Sequence, residues 1–204
     1  MKKLLILGAG GHGKCVLDIA KKSKQYNEIS FLDDKNIGDY VLGHRIIGDI
    51  KSYKDFISKY DDAIVAIGNN EVRLKLTERL IEEGYNLPII IDPSATISST
   101  SNIGQGTVVM PKATINTCVT IGKACIINSG AIVEHDCNIG DGVHLSPGAI
   151  LGGTVSIGNC TWICLGAKVI NNININDYVT IGAGAVVIDN IEEKNVLVVG
   201  VPAK

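Results

Sequence analysis

The sequence predicts an α/β amino-terminal domain followed by a parallel β-helix, and two observations support that prediction. Residues 1–92 alternate short apolar runs with amphipathic stretches, as the strands and helices of an α/β fold do. From Ile97 to Val187, every sixth residue is Ile, Leu or Val, sixteen times without interruption. Neither a helix of period 3.6 nor a strand of period 2 produces that second pattern.

The amino-terminal elements follow from where apolar runs stop at glycine or aspartate and where apolar residues recur at helical spacing. In chain order we predict a strand at Lys3–Leu7, a helix from about Lys14 to Lys22, strands at Ile29–Leu32 and Ala63–Ile67, a helix at Val72–Glu83 ending at Gly84, and a strand at Pro88–Ile91. Because strands and helices alternate, the sheet is expected to be parallel.

The repeat explains the second half of the chain. A six-residue period is typical of a parallel β-helix, in which each hexad forms one flat side of a coil. We call the Ile, Leu or Val of each hexad its guide residue. Ile-Gly pairs begin at Ile103, Ile121, Ile139 and Ile157, so one corner recurs every eighteen residues and three sides complete a coil. A second inward position lies four residues after each guide and is mostly small: Thr107, Ala113, Cys125, Ala131, Cys137, Ala149, Thr161, Ala167 and Ala185.

Charge separates the two parts of the chain. Residues 1–92 hold 14 Lys+Arg and 14 Asp+Glu, whereas residues 93–204 hold 5 and 7. The change falls at Asp92-Pro93, where proline disfavours helix. We therefore predict one domain at residues 1–92 and a second at residues 93–204.

Composition excludes several functional classes. A net charge of −2 gives no electrostatic footprint for nucleic acid. No apolar run is long enough to span a membrane, and the first one stops at Ala9, too early for a signal peptide. The six cysteines form no C-x-x-C pair, which argues against a zinc site and favours a reducing cytoplasm.

The first glycine-rich segment indicates a ligand site. Gly8, Gly10 and Gly13 match G-x-G-x-x-G between a strand and a helix, and Asp33 lies twenty residues past Gly13. Such glycines let backbone N–H groups approach a diphosphate at a helix N-terminus. Two other interpretations stay open: a turn that needs only the geometry of glycine, and NAD binding. A domain of this size has room for half of a dinucleotide fold, so a nucleotide diphosphate joined to a sugar fits better.

Two histidines break the repeat. His135 and His144 both fall outside the inward register, so burial within the coil cannot explain them. Asp136 next to His135 suggests a general base with an orienting carboxylate, and imidazoles commonly titrate near neutral pH. The alternative is a surface histidine on a loop, but the nearby Asn128 favours a functional role. Two histidines at this spacing are not a known metal-ligand pattern, and no metal is predicted.

Five stretches spread over the chain together resemble a known family. They are Gly8-Ala9-Gly10-Gly11-His12-Gly13, Phe31-Leu32-Asp33-Asp34, Ala66-Ile67-Gly68-Asn69-Asn70-Glu71-Val72-Arg73, Glu134-His135-Asp136-Cys137 and Gly200-Val201-Pro202-Ala203-Lys204. The repeat resembles the left-handed β-helix (hexapeptide-repeat) acyltransferases. The whole set resembles the bacterial acetyltransferases that join a Rossmann-like domain to such a β-helix, namely nucleotide-aminosugar N-acetyltransferases and sialic acid O-acetyltransferases.

The resemblance implies roles for individual residues. His135 is expected to deprotonate the sugar amine, with Asp136 standing where the family often has the longer Glu. A homotrimer with active sites between subunits and a left-handed coil are also implied. Acetyl-CoA contacts are implied at His144, Gly153, Leu165 and Ala183, and substrate contacts at Gly10, Gly11, His12, Asp33, Asp34, Gly68 and Asn128.

We therefore predict an acetyl-CoA-dependent N-acetyltransferase of a nucleotide-linked 4-amino-sugar in glycan biosynthesis. UDP is favoured by the resemblance, and direct attack is favoured because no cysteine stands beside a base. Three alternatives remain: O-acetylation of sialic acid or a related sugar, a non-catalytic β-helix scaffold, and an NAD-linked domain fused to the repeat.

Overall fold

The computed structural model describes residues 2–204, which form two compact units, one ending at Pro93 and the other running from Ser94 to Lys204. The first unit is an α/β fold. Its elements are β1 (Lys2–Leu7), α1 (Gly11–Lys22), β2 (Tyr26–Leu32), β3 (Tyr40–Val41), β4 (His44–Gly48), a 3₁₀-helix (Ile50–Phe56), β5 (Asp62–Val65), α2 (Asn70–Glu82) and β6 (Ile90–Ile91).

Five of these strands form one sheet in the order β3-β4-β2-β1-β5. Strand β1 pairs in parallel with β2 and β5, β2 pairs in parallel with β4, and only β3 against β4 is antiparallel among the described pairings. Leu4 through Leu7 are fully buried, as expected for a central parallel strand covered on both faces. The carboxyl ends of β1, β2 and β5 therefore share one sheet edge, followed by the segments that begin at Gly8, Asp33 and Ala66.

The predicted strands and helices are present with bounds that differ by one to three residues, and the structure adds elements that were not predicted. Helix α1 begins at Gly11, inside the glycine segment, with Gly10 as a cap that offers no side-chain hydrogen bond. The hairpin of β3 and β4 and the 3₁₀-helix after it were not predicted. The reason is that Tyr40–Gly48 is short and interrupted by Gly43, so it carries no sustained apolar period.

The second unit is a three-sided parallel β-helix. From Thr96 to Val187, each two-residue strand pairs in parallel with the strand eighteen residues away, for example Thr114 with Ile132, and Leu197–Val198 pairs with Thr180–Ile181. The first face consists of Thr96–Ile97, Thr114–Ile115, Ile132–Val133, Ile150–Leu151, Lys168–Val169 and Val186–Val187. The second face consists of Asn102–Ile103, Thr120–Ile121, Asn138–Ile139, Ser156–Ile157 and Asn174–Ile175. The third face includes Val108–Val109, Ile126–Ile127, His144–Leu145, Trp162–Ile163, Thr180–Ile181 and Leu197–Val198.

The core of the coil is built from the two inward registers. From Val109 to Val187, every guide residue is at most 3% exposed. Cys125 and Cys137 are buried as predicted, and they also form hydrogen bonds. The Cys125 thiol donates to the Gly140 carbonyl at 3.1 Å, much as the Thr107 hydroxyl donates to the Gly122 carbonyl at 2.9 Å. Small polar side chains at this register therefore satisfy corner carbonyls that the ladder leaves without a partner.

The Ile-Gly corner is glycine because consecutive coils touch there. A Cβ on Gly122, Gly140 or Gly158 would lie 2.4 to 2.7 Å from the nearest atom of the next coil. Side chains one residue further along hold the coils together, since Asn159 Oδ1 accepts the Asp141 N–H at 2.8 Å. From Ile103 to Ile181, the third residue after each guide adopts positive φ, and this position is often not glycine.

Candidate active site

His135 and Asp136 lie in the corner between the first and second faces, which we call the His135 corner (residues 134–136). Asp136 occupies the positive-φ position of that turn, with φ of 59°. Its Oδ2 lies 2.8 Å from Nδ1 of His135, so the shorter acidic side chain still reaches the imidazole. Both side chains are 57% exposed. The carboxylate fixes the proton on Nδ1 and leaves the Nε2 lone pair to accept a proton.

Gly153 lies one coil further along, against the His135 ring. A Cβ at residue 153 would lie 2.6 Å from both Cε1 and Nε2 of His135. The Thr154 N–H donates to the His135 carbonyl at 2.9 Å, which ties the two coils together at this point. Gly153 was predicted as an acetyl-CoA contact, and the structure places it directly beside the candidate base.

His144 lies on the third face within a set that we call the His144 cluster (Asn128, His144, Ser146 and Trp162). Its ring stacks on the indole of Trp162, with ring centroids 5.9 Å apart and planes 7° from parallel. Its Nε2 lies 3.1 Å from Nδ2 of Asn128. The Trp162 Nε1–H donates to Oγ of the buried Ser146 at 2.8 Å, which fixes the indole over the imidazole.

The hydrogen bonds of Asn128 assign a tautomer to His144. Asn128 Oδ1 accepts the Ser129 N–H at 2.8 Å, so the amide nitrogen faces His144. An amide nitrogen only donates, and therefore His144 Nε2 must accept and its proton must be on Nδ1. His135 has the same tautomer, because the Asp136 carboxylate also accepts from Nδ1, but its Nε2 is not engaged by that carboxylate.

Apart from His144 on the third face, the predicted residues of the β-helix fall on the two edges of its first face. His135, Asp136 and Gly153 lie in the corner after the first face. Asn128, Leu165 and Ala183 lie in the corner before it, beside the third-face strand of His144, and Leu165 and Ala183 are exposed. A full side of about six residues at about 3.3 Å each separates the two corners within a coil. One chain alone therefore does not bring the two groups together through this face.

In the α/β unit, the glycines of the first loop divide into two kinds. A Cβ on Gly13 would lie 2.0 Å from the Gly8 carbonyl oxygen, and Gly8 itself has φ of +110°. These two glycines are required by the strand-to-helix turn. By contrast, a Cβ on Gly10, Gly11 or Gly68 would meet nothing within 4 Å. The chain itself gives no packing reason for glycine at those three positions, whereas close approach of a ligand would give one.

The two predicted acidic residues organise the loops at the sheet edge. Asp33 Oδ2 accepts the Ala9 N–H at 2.8 Å, and its Oδ1 accepts the Lys35 N–H at 2.9 Å. Asp34 Oδ1 accepts the Ile50 N–H at 3.1 Å. Ala9, Gly10 and Asp33 line an open cleft of about 380 Å³, whose remaining lining residues are Lys35, Asn36, Val41 and Ile46.

His12, predicted as a substrate contact, is partly buried. Its Nε2 is inaccessible and has no hydrogen-bond partner among residues 2–204. Burial, together with the positive charge of Arg73, lowers the pKa of His12 to about 4, so the ring is neutral at physiological pH. Arg73 is fully buried and donates to the carbonyls of Ile67 and Gly68 at 3.0 and 3.1 Å, which holds the loop after β5.

The comparisons with known proteins cover both units. Residues 3–80 match the family described as the PglD N-terminal domain. Over 113 residues the chain is 38% identical to a UDP-N-acetylbacillosamine N-acetyltransferase of Bacillus subtilis (strain 168). That alignment covers 54% of this chain and 52% of the relative, so it spans about half the length of the curated protein.

Several solved structures match the whole chain, including two that hold acetyl-CoA or CoA. The acetyltransferase domain of PglB from Neisseria gonorrhoeae FA1090, in complex with acetyl coenzyme A, has a TM-score of 0.96 and 40% identity, covering 100% of this chain and 98% of that one. A histidine-to-asparagine variant of perosamine N-acetyltransferase from Caulobacter crescentus, in complex with CoA and GDP-perosamine, has a TM-score of 0.95 and 34% identity, covering 100% and 96%. The chain belongs to this N-acetyltransferase family. The predicted family and fold class, a Rossmann-like domain followed by a left-handed parallel β-helix, are thereby confirmed.

The described residues include neither of two further kinds of feature, a metal-ligand group and a membrane-spanning helix. Among residues 2–204, no group of three or more His, Cys, Asp or Glu side chains is arranged to hold a metal ion. Within the same range, no helix has the length and apolar character needed to cross a membrane.

Two members of the His144 cluster were missed in the sequence. Trp162 lies eighteen residues after His144, and Ser146 lies two residues after it. The eighteen-residue period was the signal for Trp162, because residues at that spacing lie side by side in neighbouring coils.

Proposed function

We propose that this chain transfers the acetyl group of acetyl-CoA to the amine of a nucleotide-linked 4-amino-sugar, a step of glycan biosynthesis. The observation that carries the proposal is the His135–Asp136 pair at 2.8 Å, in an exposed corner of a β-helix whose whole-chain relatives are N-acetyltransferases. An exposed imidazole oriented by a carboxylate is suited to general-base catalysis.

The reaction is a direct attack at the acetyl carbonyl. The sugar amine forms the new N–C bond while His135 Nε2 accepts its proton, and Asp136 holds the opposite side of the imidazolium. Collapse of the tetrahedral intermediate breaks the C–S bond, and the proton passes from His135 to the departing CoA thiolate. Backbone N–H groups are the expected stabilisers of the oxyanion.

The complete site would be formed between copies of the chain in a homotrimer. This proposal rests on the separation of the His135 corner from the corner that carries Asn128, Leu165 and Ala183, on opposite edges of the first face. In a threefold assembly, the corner after the first face of one subunit would lie against the corner before the first face of the next subunit. His144 and the exposed Leu165 and Ala183 would then contact acetyl-CoA beside the partner subunit's base.

The α/β unit, predicted as residues 1–92, would bind the nucleotide, and the β-helix, residues 93–204, would carry the chemistry. Gly10, Gly11 and Gly68 leave room for a diphosphate to approach, and the start of α1 offers N–H groups and a positive dipole end. Asp33 and Asp34 would shape the cleft mainly through the loops that they hold. His12 would contact substrate only after a local rearrangement, because its Nε2 is inaccessible. The free cysteines are compatible with a reducing cytoplasm, which we propose as the compartment.

The test is a coupled assay of free CoA. Purified protein is mixed with acetyl-CoA and with UDP-, dTDP- or GDP-linked 4-amino-sugars, CMP-sialic acid or free sialic acid. Fast release with one amino sugar is expected and would name the acceptor. Release with a sialic acid alone would replace N-acetylation by O-acetylation. No release and no acetyl-CoA binding would leave the scaffold interpretation, and binding of NAD would favour the dinucleotide one.

A further inference from the structure

We propose that Gly153 is a positioning residue whose missing side chain seats the His135 imidazole in its reactive orientation. This inference rests on the proposed function, because it assigns His135 as the base. It differs from the acetyl-CoA contact that the resemblance implies for Gly153, since it acts on the protein's own imidazole.

The first observation is steric. A Cβ on Gly153 would lie 2.6 Å from Nε2 and from Cε1 of His135, and 3.3 Å from Cδ2. Contacts below 3.0 Å are not tolerated by real Cβ atoms, so something must shift. The closest atoms include Nε2, the nitrogen that would take the proton. Gly153 is itself buried, while the imidazole that covers it is exposed on its outer side.

The second observation decides which group would shift. The Thr154 N–H donates to the His135 carbonyl at 2.9 Å, and the Asn172 N–H donates to the Gly153 carbonyl at 3.0 Å. These ladder bonds hold the backbones of three successive coils, so Gly153 cannot move away from the ring. The imidazole is 57% exposed, and its Nδ1 lies 2.8 Å from Oδ2 of Asp136. A side chain at residue 153 would therefore swing the ring outward and break that bond.

The backbone of Gly153 is not in the positive-φ region. Glycine at this position is therefore not explained by backbone conformation. The contact with His135 is the close approach that the structure shows, and alanine would otherwise be accommodated without backbone strain.

The consequence for catalysis is large because proton transfer depends on position. Moving Nε2 by about 1 Å is expected to lower the rate by about 10²-fold. Stability should change little, since an exposed imidazole can leave the contact.

The experiment is a double-mutant cycle with Gly153→Ala and His135→Ala. Gly153→Ala is expected to lower kcat by about 10²-fold with acetyl-CoA affinity within about threefold of wild type, and to change the residual rate of His135→Ala by less than about threefold. Asn171→Ala, at the next position of the same corner column, is the matched control and should retain wild-type kcat. A Gly153→Ala rate within threefold of wild type would overturn the proposal, as would an equal loss in the His135→Ala background.

The melting temperatures of the same variants test the proposal without activity. If Gly153→Ala is destabilised or fails to fold, adding His135→Ala should restore the fold, because the clashing ring is then gone. A double variant that remains unfolded would refute the steric pairing. Absence of turnover by the wild type with every acceptor would refute the proposed function, whereas an active wild type together with an equally active Gly153→Ala variant would refute only the role of Gly153.

Discussion

The His135 corner and the His144 cluster present outward-facing histidines on one β-helix, yet they prepare the imidazole in opposite ways. At the corner, a carboxylate fixes the proton on Nδ1 and leaves Nε2 exposed as an acceptor. In the cluster, the Asn128 amide occupies Nε2 and an indole covers the ring. The first arrangement suits moving a proton and the second suits holding a ligand. The repeat that carries both histidines supplies no such distinction. It comes from Asp136, the residue after His135, and from Asn128 and Trp162 in the coils on either side of His144.

The largest test of this comparison is His135→Ala. Loss of the base is expected to lower kcat by about 10² to 10⁴-fold, with acetyl-CoA affinity nearly unchanged. Steady-state kinetics and an acetyl-CoA titration check both parts. The comparison fails if His135→Ala turns over within about threefold of wild type, because the corner would then not carry the proton transfer.

Asp136→Asn tests the carboxylate without changing its size. The amide can present its N–H₂ to Nδ1, which would favour the tautomer with the proton on Nε2 and block the base. Because Asp136 is 57% exposed and water can compete, the expected loss of kcat is about 10 to 10²-fold, smaller than for the base itself. Asp136→Glu is the conservative variant, and it should recover most of the rate if the carboxylate acts through the imidazole.

His12 extends the comparison to the α/β unit, where burial replaces hydrogen bonding as the control. Its folded pKa of about 4 lies below the value near 6.5 of an exposed imidazole. As pH falls below about 6.5, the unfolded state binds the proton first, so this stability is present above that pH and is lost toward pH 4.

The measurement is denaturant unfolding of wild type and His12→Gln at pH 7.5 and pH 5. Wild type should lose about 1–2 kcal/mol more unfolding free energy over that interval than the variant does. Equal losses in the two proteins would mean that the ring is hydrated in the folded state.

The repeat made the β-helix residues predictable, because a strict register turns every exception into a candidate. His135 and His144 were found as exceptions to the sixfold register. Gly153 lies eighteen residues after His135, and Trp162 lies eighteen residues after His144. The same eighteen-residue period therefore predicts that each of them lies against the histidine ring one coil before it. In the α/β unit no register exists, and the pKa of His12 is lowered by its burial and by the charge of Arg73, sixty-one residues away on another helix. Contacts of that kind are set by tertiary packing and are not encoded in local spacing.

His144→Ala tests the other half of the comparison. Removal of a hydrogen-bond donor to the ligand is expected to weaken acetyl-CoA binding by about tenfold, with a smaller change in kcat. Asn128→Ala, which frees Nε2 without removing the ring, should weaken binding less. The roles would be reversed if His144→Ala lowered kcat more than His135→Ala and left acetyl-CoA affinity intact.

The smallest expected effect comes from the indole above His144. Trp162→Phe keeps an aromatic ring in the stack but removes the Nε1–H bond to Ser146, and Ser146→Ala removes the same bond from the other side. Each change should weaken acetyl-CoA binding by about two- to fivefold, and the two together should cost no more than one alone, because they delete a single interaction. Trp162 is the only tryptophan in the sequence, so its fluorescence in the Ser146→Ala protein reports the titration directly. Additive losses would show that Ser146 or Trp162 contacts acetyl-CoA independently, and the cluster would then be part of the ligand surface and not only a support for the imidazole.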